Sequence, residues 1–336
     1  MRKLVFISTH LINGAVISEY IKMSKVKDVD CILAIDNSNL KIEIDSRVKE
    51  MEFYGTKVKC FFFDEQLHNE LNLPCYFYNR KAENFSEIMW YNGDYRFYYV
   101  KKFFPDYDFY WQFDYDIFCN GDSYQEFFSK YEKFEEDLLV CDLRPEQING
   151  EWYWSSEIDW AYDGDFYASF FPICRLSSRA IDFLYKKRFE RGEQYLKLED
   201  KTHSMWIFCE TFAPNELIKN GFSAHSIDEK YVSSEVWNIE FDLNENRLFE
   251  HPDNQLYHPV KGDYVNRMNK LKAENENLKS QIEFLEKEKN KYCKHLRKIF
   301  SIGNVYSNNN KYKVLTLFGI KIKKKLVKKE VVAKNE

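Results

Sequence analysis

Short, unbroken apolar runs, each stopped by polar turn residues, mark the first part of the chain. Leu4-Val5-Phe6-Ile7 is the first, and Ser8-Thr9-His10 stops it. Cys31-Ile32-Leu33-Ala34-Ile35 is the second and ends at Asp36-Asn37-Ser38. Val58-Lys59-Cys60-Phe61-Phe62-Phe63 is the third and ends at Asp64-Glu65. Apolar runs without alternation are the pattern of parallel strands covered on both faces. Residues 13–24 read as a helix between the first two. Strand, helix, strand and strand, with polar residues at the carboxyl ends, predict an α/β half. In such sheets ligands gather beyond the carboxyl ends. No Gly-x-Gly-x-x-Gly and no Walker sequence follows the first strand, which argues against the dehydrogenase and P-loop solutions.

Residues 92–104 predict a helix stopped by Pro105, with Asp94 and Arg96 near its start. The next strand is an aromatic run, Tyr107 to Phe113, that ends in Asp114-Tyr115-Asp116. Strand side chains alternate faces, so Asp114 and Asp116 point the same way. Two neighbouring carboxylates at the end of a buried strand repel each other and lose hydration. A divalent cation is the usual compensation. Residues 137–142 predict another strand. Residues 151–165 carry Trp152, Trp154, Glu157, Asp159, Trp160, Asp163 and Asp165. Long aromatic and acidic loops of this kind line sites. Residues 166–176 predict a strand, followed by a helix with Ser178 as its N-cap. A further helix is predicted from Thr202 through Trp206 and Glu210 to Pro214, and Gly221 closes a short one. The globular body ends near residues 257–262.

Beyond it the period changes. Met268, Asn275, Ile282, Lys289 and Leu296 recur every seven residues, as do Leu271, Leu278, Leu285, Tyr292 and Ile299. Taken as a and d positions they predict a coiled-coil helix over 263–300, pairing as a homodimer or packing as a solvated helix on its own domain. Residues 301–336 read as a basic tail. Apolar residues followed by a lysine cluster over 311–329 suit an anionic inner-membrane surface or a disordered solubilising end.

Composition narrows the class. A hydrophobic fraction of 44%, with 18% aromatic, fills a sizeable core for 336 residues. Nine lysines against two glutamates put residues 311–336 at +7, so the remaining body carries −12 within the net −5. An acidic body argues against nucleic acid as a partner. None of the eight cysteines forms a Cys-x-x-Cys pair, which predicts reduced, buried thiols rather than zinc or disulfides. Neither a secretory leader nor a run of ~20 apolar residues is evident, so the expected location is cytoplasmic.

The segment Pro105-Asp106-Tyr107-Asp108-Phe109-Tyr110-Trp111-Gln112-Phe113-Asp114-Tyr115-Asp116 resembles the Asp-x-Asp region of bacterial nucleotide-sugar glycosyltransferases with the glycosyltransferase-A fold. Trp206-Ile207-Phe208-Cys209-Glu210-Thr211-Phe212-Ala213-Pro214 is similar to that family's acceptor-side helix, and His258-Pro259-Val260-Lys261 to its closing motif. The resemblance covers roughly residues 1–262. It implies a Rossmann-like mixed sheet flanked by helices. It also implies Mn2+ or Mg2+, a nucleotide-sugar donor, and a glycan or lipid-linked glycan acceptor of the lipooligosaccharide or capsule type. The expected place of work is the cytoplasmic face of the inner membrane. On this basis Asp116 is the direct metal ligand, Asp114 serves the ribose or the metal, His258 is the third ligand and Lys261 a diphosphate contact. Asp36 contacts the uridine or ribose, or caps a turn. Arg96 reaches the nucleotide, or lies on the helix surface. Glu210 is the first choice for general base in an inverting reaction, sharing a helix face with Trp206. Asp159 and Asp163 are reserves. Two other classes compete: a non-catalytic scaffold of the same fold carried on the coiled coil, and a metal-dependent phosphotransferase or nuclease. The acidic body disfavours a polyanionic substrate.

Overall fold

A computed structural model describes residues 1–228, 231, 255–260, 277–292, 300–307, 310–318 and 320–326. The chain divides into two compact units, Met1–Val265 and Asn266–Glu336.

The first unit is built on one eight-stranded mixed sheet. In chain order its strands are β1 (Lys3–Thr9), β2 (Val29–Asp36), β3 (Val48–Phe53), β4 (Thr56–Phe63), β5 (Phe109–Asp114), β6 (Leu138–Glu146), β7 (Phe166–Ser177) and β8 (Ala224–Ser226). Their spatial order is β8-β6-β7-β5-β1-β2-β4-β3. Strands β5, β1, β2 and β4 run parallel. β7 is antiparallel to β5, and β3 to β4. Two cores explain the unbroken apolar runs. Leu4 and Phe6 of β1 face one core, and Val5 and Ile7 face the other. The same split separates Tyr110 from Trp111 in β5. A strand buried on both faces has no polar side to show. The α/β architecture expected from the sequence is therefore present, with its helices α1 (Gly14–Ser24), α2 (Phe85–Tyr91), α3 (Tyr95–Phe103), α4 (Ser178–Leu196) and α5 (Cys209–Lys219).

Several expected boundaries move. The helix expected over 92–104 is α3, which starts only at Tyr95; Asn92-Gly93-Asp94 separates it from α2, a helix the sequence pattern does not predict. Ser177, not Ser178, caps α4: its hydroxyl accepts from Ala180 N at 3.1 Å. The helix expected from Thr202 begins only at Cys209, and Trp206 lies ahead of it in an extended, buried segment. Trp206 Nε1 donates to Asn92 Oδ1 at 2.8 Å, so the indole belongs to the core and shares no helix face with Glu210. Pro214 does not end α5 but sits inside it.

One buried ion pair locks these helices together. Arg188 of α4 grips Asp94 with two bonds, Nη2 to Oδ1 at 2.6 Å and Nε to Oδ2 at 2.8 Å. Tyr98 OH donates to the same carboxylate, and Arg188 Nη1 donates to the Ile207 carbonyl. Both ions are fully buried. Such a pair is held by its hydrogen bonds as much as by Coulomb attraction, because desolvation opposes it. Its effect here is positional: it ties α3, α4 and the lead-in to α5. Asp94, flagged in the sequence beside Arg96, is thereby a structural residue.

The second unit shows a helix over 277–292, on which Leu278, Ile282, Leu285 and Tyr292 of the expected seam are exposed. Met268, Leu271, Asn275, Leu296 and Ile299 fall outside the described residues. The stretch expected as a basic amphipathic tail, membrane-facing or disordered, forms an antiparallel meander of β9 (Phe300–Ser307), β10 (Asn310–Leu317) and β11 (Ile320–Lys325). Its hairpin was written in the sequence. Apolar and polar residues alternate on both sides of Phe318-Gly319.

Candidate active site

The strand order reverses between β5 and β2, with β1 in the middle. In open α/β sheets that is where ligands bind, beyond the carboxyl ends. Asp114 is the last residue of β5 and pairs with Ser8 of β1. Asp36 is the last residue of β2, one strand further on. At ~4.8 Å per strand the two carboxylates stand roughly 10 Å apart along the edge. Asp36 Oδ1 accepts from Ser38 N at 2.9 Å, so it does cap the turn.

Asp114 is held from two sides. Arg96 Nη1 lies 3.3 Å from its Oδ1, and Gln112 Nε2 donates to the same oxygen at 3.2 Å. Arg96 thus faces the carboxylate rather than open solvent. Gln112 sits two residues back on the same strand face, a neighbour that period-two alternation makes legible. Its Oε1 is buried without a hydrogen-bond partner. Partial burial raises the Asp114 carboxyl to about 6. Arg96 opposes that rise, Asp116 adds to it, and His258 and Gln112 oppose it.

Asp116 and His258 come together across a long sequence interval. Phe118–Cys119 pairs antiparallel with Leu256–Tyr257, and Val260 N donates to the Asp116 carbonyl at 2.8 Å. The ladder sets His258 Nε2 at 3.5 Å from Asp116 Oδ1, both side chains buried. Phe170 packs edge-on against the imidazole at 5.4 Å. Phe170 lies where β7 shifts register against β6, and such irregularities re-aim side chains beside sites. Below, Glu19 of α1 anchors the same segment, accepting from Cys119 N at 3.0 Å and Tyr124 OH at 2.7 Å.

Glu210 lies in the first turn of α5, buried against β7. Phe171 N donates to its Oε1 at 2.9 Å. Pro214 has no N–H to offer the Glu210 carbonyl four residues earlier, and Ser169 Oγ takes that bond instead at 2.6 Å. Asn215 extends the stitching, accepting from Tyr167 N and donating to Tyr167 O. Burial drives the Glu210 carboxyl up to about 8. The Phe171 amide restrains it, Asp114 and Asp142 push it higher, and Arg144 pulls it down.

The chain thus gathers Asp114, Asp116, Arg96 and His258 at one edge, with Glu210 in the field of Asp114. Asp159 and Asp163 do not join them. Both are exposed, and among the described residues neither carboxylate bonds to the cluster. Lys261 lies outside the described residues. Three or more His, Cys, Asp or Glu side chains converging as a metal cage are absent among the described residues. The donor set on offer is one carboxylate oxygen and one imidazole nitrogen, Asp116 and His258, with Asp114 alongside. That pair fits a hard divalent ion that keeps open positions for phosphate oxygens and water, and the imidazole leans the choice to Mn2+. No protein-family model matches this chain, and no curated protein matches it.

Proposed function

We propose that the first unit transfers a sugar from a nucleotide-diphosphate sugar to a hydroxyl of a growing surface glycan. The observation that carries this reading is the meeting of Asp116 and His258 at 3.5 Å beside Asp114, at the carboxyl edge where the strand order reverses. Asp116 and His258 hold the divalent cation, and Asp114, braced by Arg96 and Gln112, contacts the ribose or the sugar. A bound divalent ion neutralises a departing diphosphate as a Lewis acid. Glu210, with its elevated proton affinity, removes the acceptor hydroxyl proton. A group that titrates close to the working pH balances availability against proton-transfer driving force. Intact acids at 114 and 116 favour this reading over a non-catalytic scaffold.

A thermal-shift screen tests it directly. A ligand that binds only the folded state raises Tm with its concentration. At least one nucleotide sugar is expected to raise Tm in the presence of Mn2+ and not in EDTA. No Mn2+-dependent rise with any donor would count against the assignment.

The meander of the second unit supports a membrane-surface role. The register places Ile302, Leu315 and Ile322 in one cross-strand row and Leu317 with Ile320 in the next. A third row on that face carries Lys313 and Lys324. Ile302, Leu317, Ile320 and Ile322 are exposed, while Val314 on the opposite face is buried. The described meander has six lysines and no acidic residue, so a face-to-face second copy would bring like charges together. An anionic bilayer satisfies both rows, the apolar side chains entering the interface and each lysine adding about 1 kcal/mol. Vesicles containing phosphatidylglycerol should pull down the full chain and lose it on Ile320→Asp/Ile322→Asp. Equal pull-down of that variant would end the proposal.

A further inference from the structure

Only five large apolar side chains are exposed among the described residues of the first unit, Met1, Tyr54, Trp90, Tyr153 and Leu196. Two of them belong to one aromatic cluster. Trp90 of α2 is 52% exposed, and Tyr153 of the 151–165 loop is 57% exposed. Beneath them Trp154 and Phe208 stack at 4.0 Å with an interplanar angle of 16°. Trp90 packs on Trp154 at 5.8 Å and on Phe208 at 5.6 Å, and Tyr153 packs on Trp154 at 4.7 Å. Tyr78 adds a further phenol, 6.4 Å from Tyr153.

This surface is continuous with the candidate active site. Phe208 is the residue before α5, two positions ahead of Glu210. Gly93, three residues after Trp90, closes the gap to Arg96. A Cβ at Gly93 would stand 3.2 Å from Cys209 Sγ and 3.7 Å from Arg96 Nη1, so the starts of α3 and α5 are close here and a side chain would press on Cys209. Trp90 and Phe208 thus adjoin the segments that carry Arg96, which contacts Asp114, and Glu210, which lies in the field of Asp114.

We infer that Trp90 and Tyr153 form the platform that receives the acceptor, and that the acceptor's reacting unit is a pyranose. This rests on the transferase reading above. A pyranose presents an apolar C–H face and a rim of hydroxyls. An indole face with two phenol groups beside it offers the complementary apolar area and hydrogen-bonding tips. The bases of a nucleic-acid strand would also stack, but its many phosphates would meet the acidic body, which carries −12 outside residues 311–336. An aliphatic chain would make no use of the phenol hydroxyls. The underlying stack of Trp154 on Phe208 keeps the platform rigid, so little ordering is lost on binding.

The experiment is saturation-transfer NMR on the full chain with Mn2+ and a nucleoside diphosphate present. The probes are the methyl β-glycosides of glucose and galactose and the methyl α-glycoside of mannose. At least one probe is expected to receive transfer on its ring C–H protons. Trp90→Ala/Tyr153→Ala should reduce that signal at least fivefold. Trp90→Phe, which keeps a ring that can stack, should retain most of it, and a native-like Tm for each variant excludes misfolding. No transfer to any probe, or undiminished transfer in the double alanine variant, would overturn the proposal. If no donor binds in the thermal-shift screen while the sugar signal still maps to Trp90, the transferase reading fails and the saccharide site stands.

Discussion

Replacing Asp116 with alanine should lower Mn2+-dependent release of nucleotide from a nucleotide sugar by roughly 10³-fold, because a Lewis-acid cation at a leaving diphosphate supplies several kcal/mol. The fold should survive the change. The Asp116 carbonyl, not its side chain, receives Val260 N, so the link that brings the 255–260 segment to the cluster persists. What is lost is the carboxylate facing His258 at 3.5 Å. The measurement is nucleotide release with and without Mn2+, alongside circular dichroism. Wild-type turnover in the variant would remove Asp116 from any metal role. His258→Ala should give a smaller loss, since a carboxylate and substrate oxygens would remain.

The second large effect is expected at Glu210. A positioned base contributes about 10²–10⁴-fold, so Glu210→Gln should cost that much in transfer to an acceptor. The glutamine is nearly isosteric, and its carbonyl oxygen can still accept from Phe171 N. The pH dependence gives an independent readout. Only the deprotonated carboxylate accepts a proton, and its pKa stands at about 8. Turnover should therefore climb with pH from 6 toward 8 and level off above it, and the Gln variant should lack the climb. Stability runs the other way. The folded state holds this proton more tightly than the unfolded chain, whose carboxyl titrates at about 4.3. Stability from this group is full below that value and declines as pH rises toward 8. Glu210→Gln should accordingly be at least as stable as the wild type at pH 8 while being far less active. A loss below tenfold, with an unchanged pH profile, would assign Glu210 to orienting the acceptor, the outcome expected of a retaining enzyme.

The apolar runs at Leu4, Cys31 and Val58 located three parallel strands because burial on both faces leaves no room for alternation. Asp114 was legible for a similar reason, as the polar residue that ends an aromatic strand; Asp116 lies in the turn beyond β5, so the strand alternation expected to align the two acids does not reach it. The pattern over 202–214 predicts one helix that includes Trp206, whereas the helix begins at Cys209. The extended lead-in that buries the indole is fixed by Asn92 and Arg188, neither of them nearby in sequence. Strand β3 escaped notice because its outer position gives it a weak pattern, Val48-Lys49-Glu50-Met51-Glu52-Phe53. The meander is hard to see in the sequence because its lysines suit a membrane-facing or solvated end equally well, although charged side chains are also what guards an exposed strand edge.

Local sequence by itself determined the period of each strand, the acids at the end of β5 and the basic character of the C-terminal stretch, since these depend only on neighbours along the chain. Tertiary structure alone decided which side chains lie together. It brought His258 to Asp116 through a two-residue ladder, turned Asp94 into a buried structural anion and left Asp159 and Asp163 in solvent. It also gave Glu210 its proton affinity, because desolvation and the field of Asp114 and Asp142 exist only once α5 packs on β7. A carboxylate's identity is written in the chain; its charge at a given pH is set by what the fold places around it.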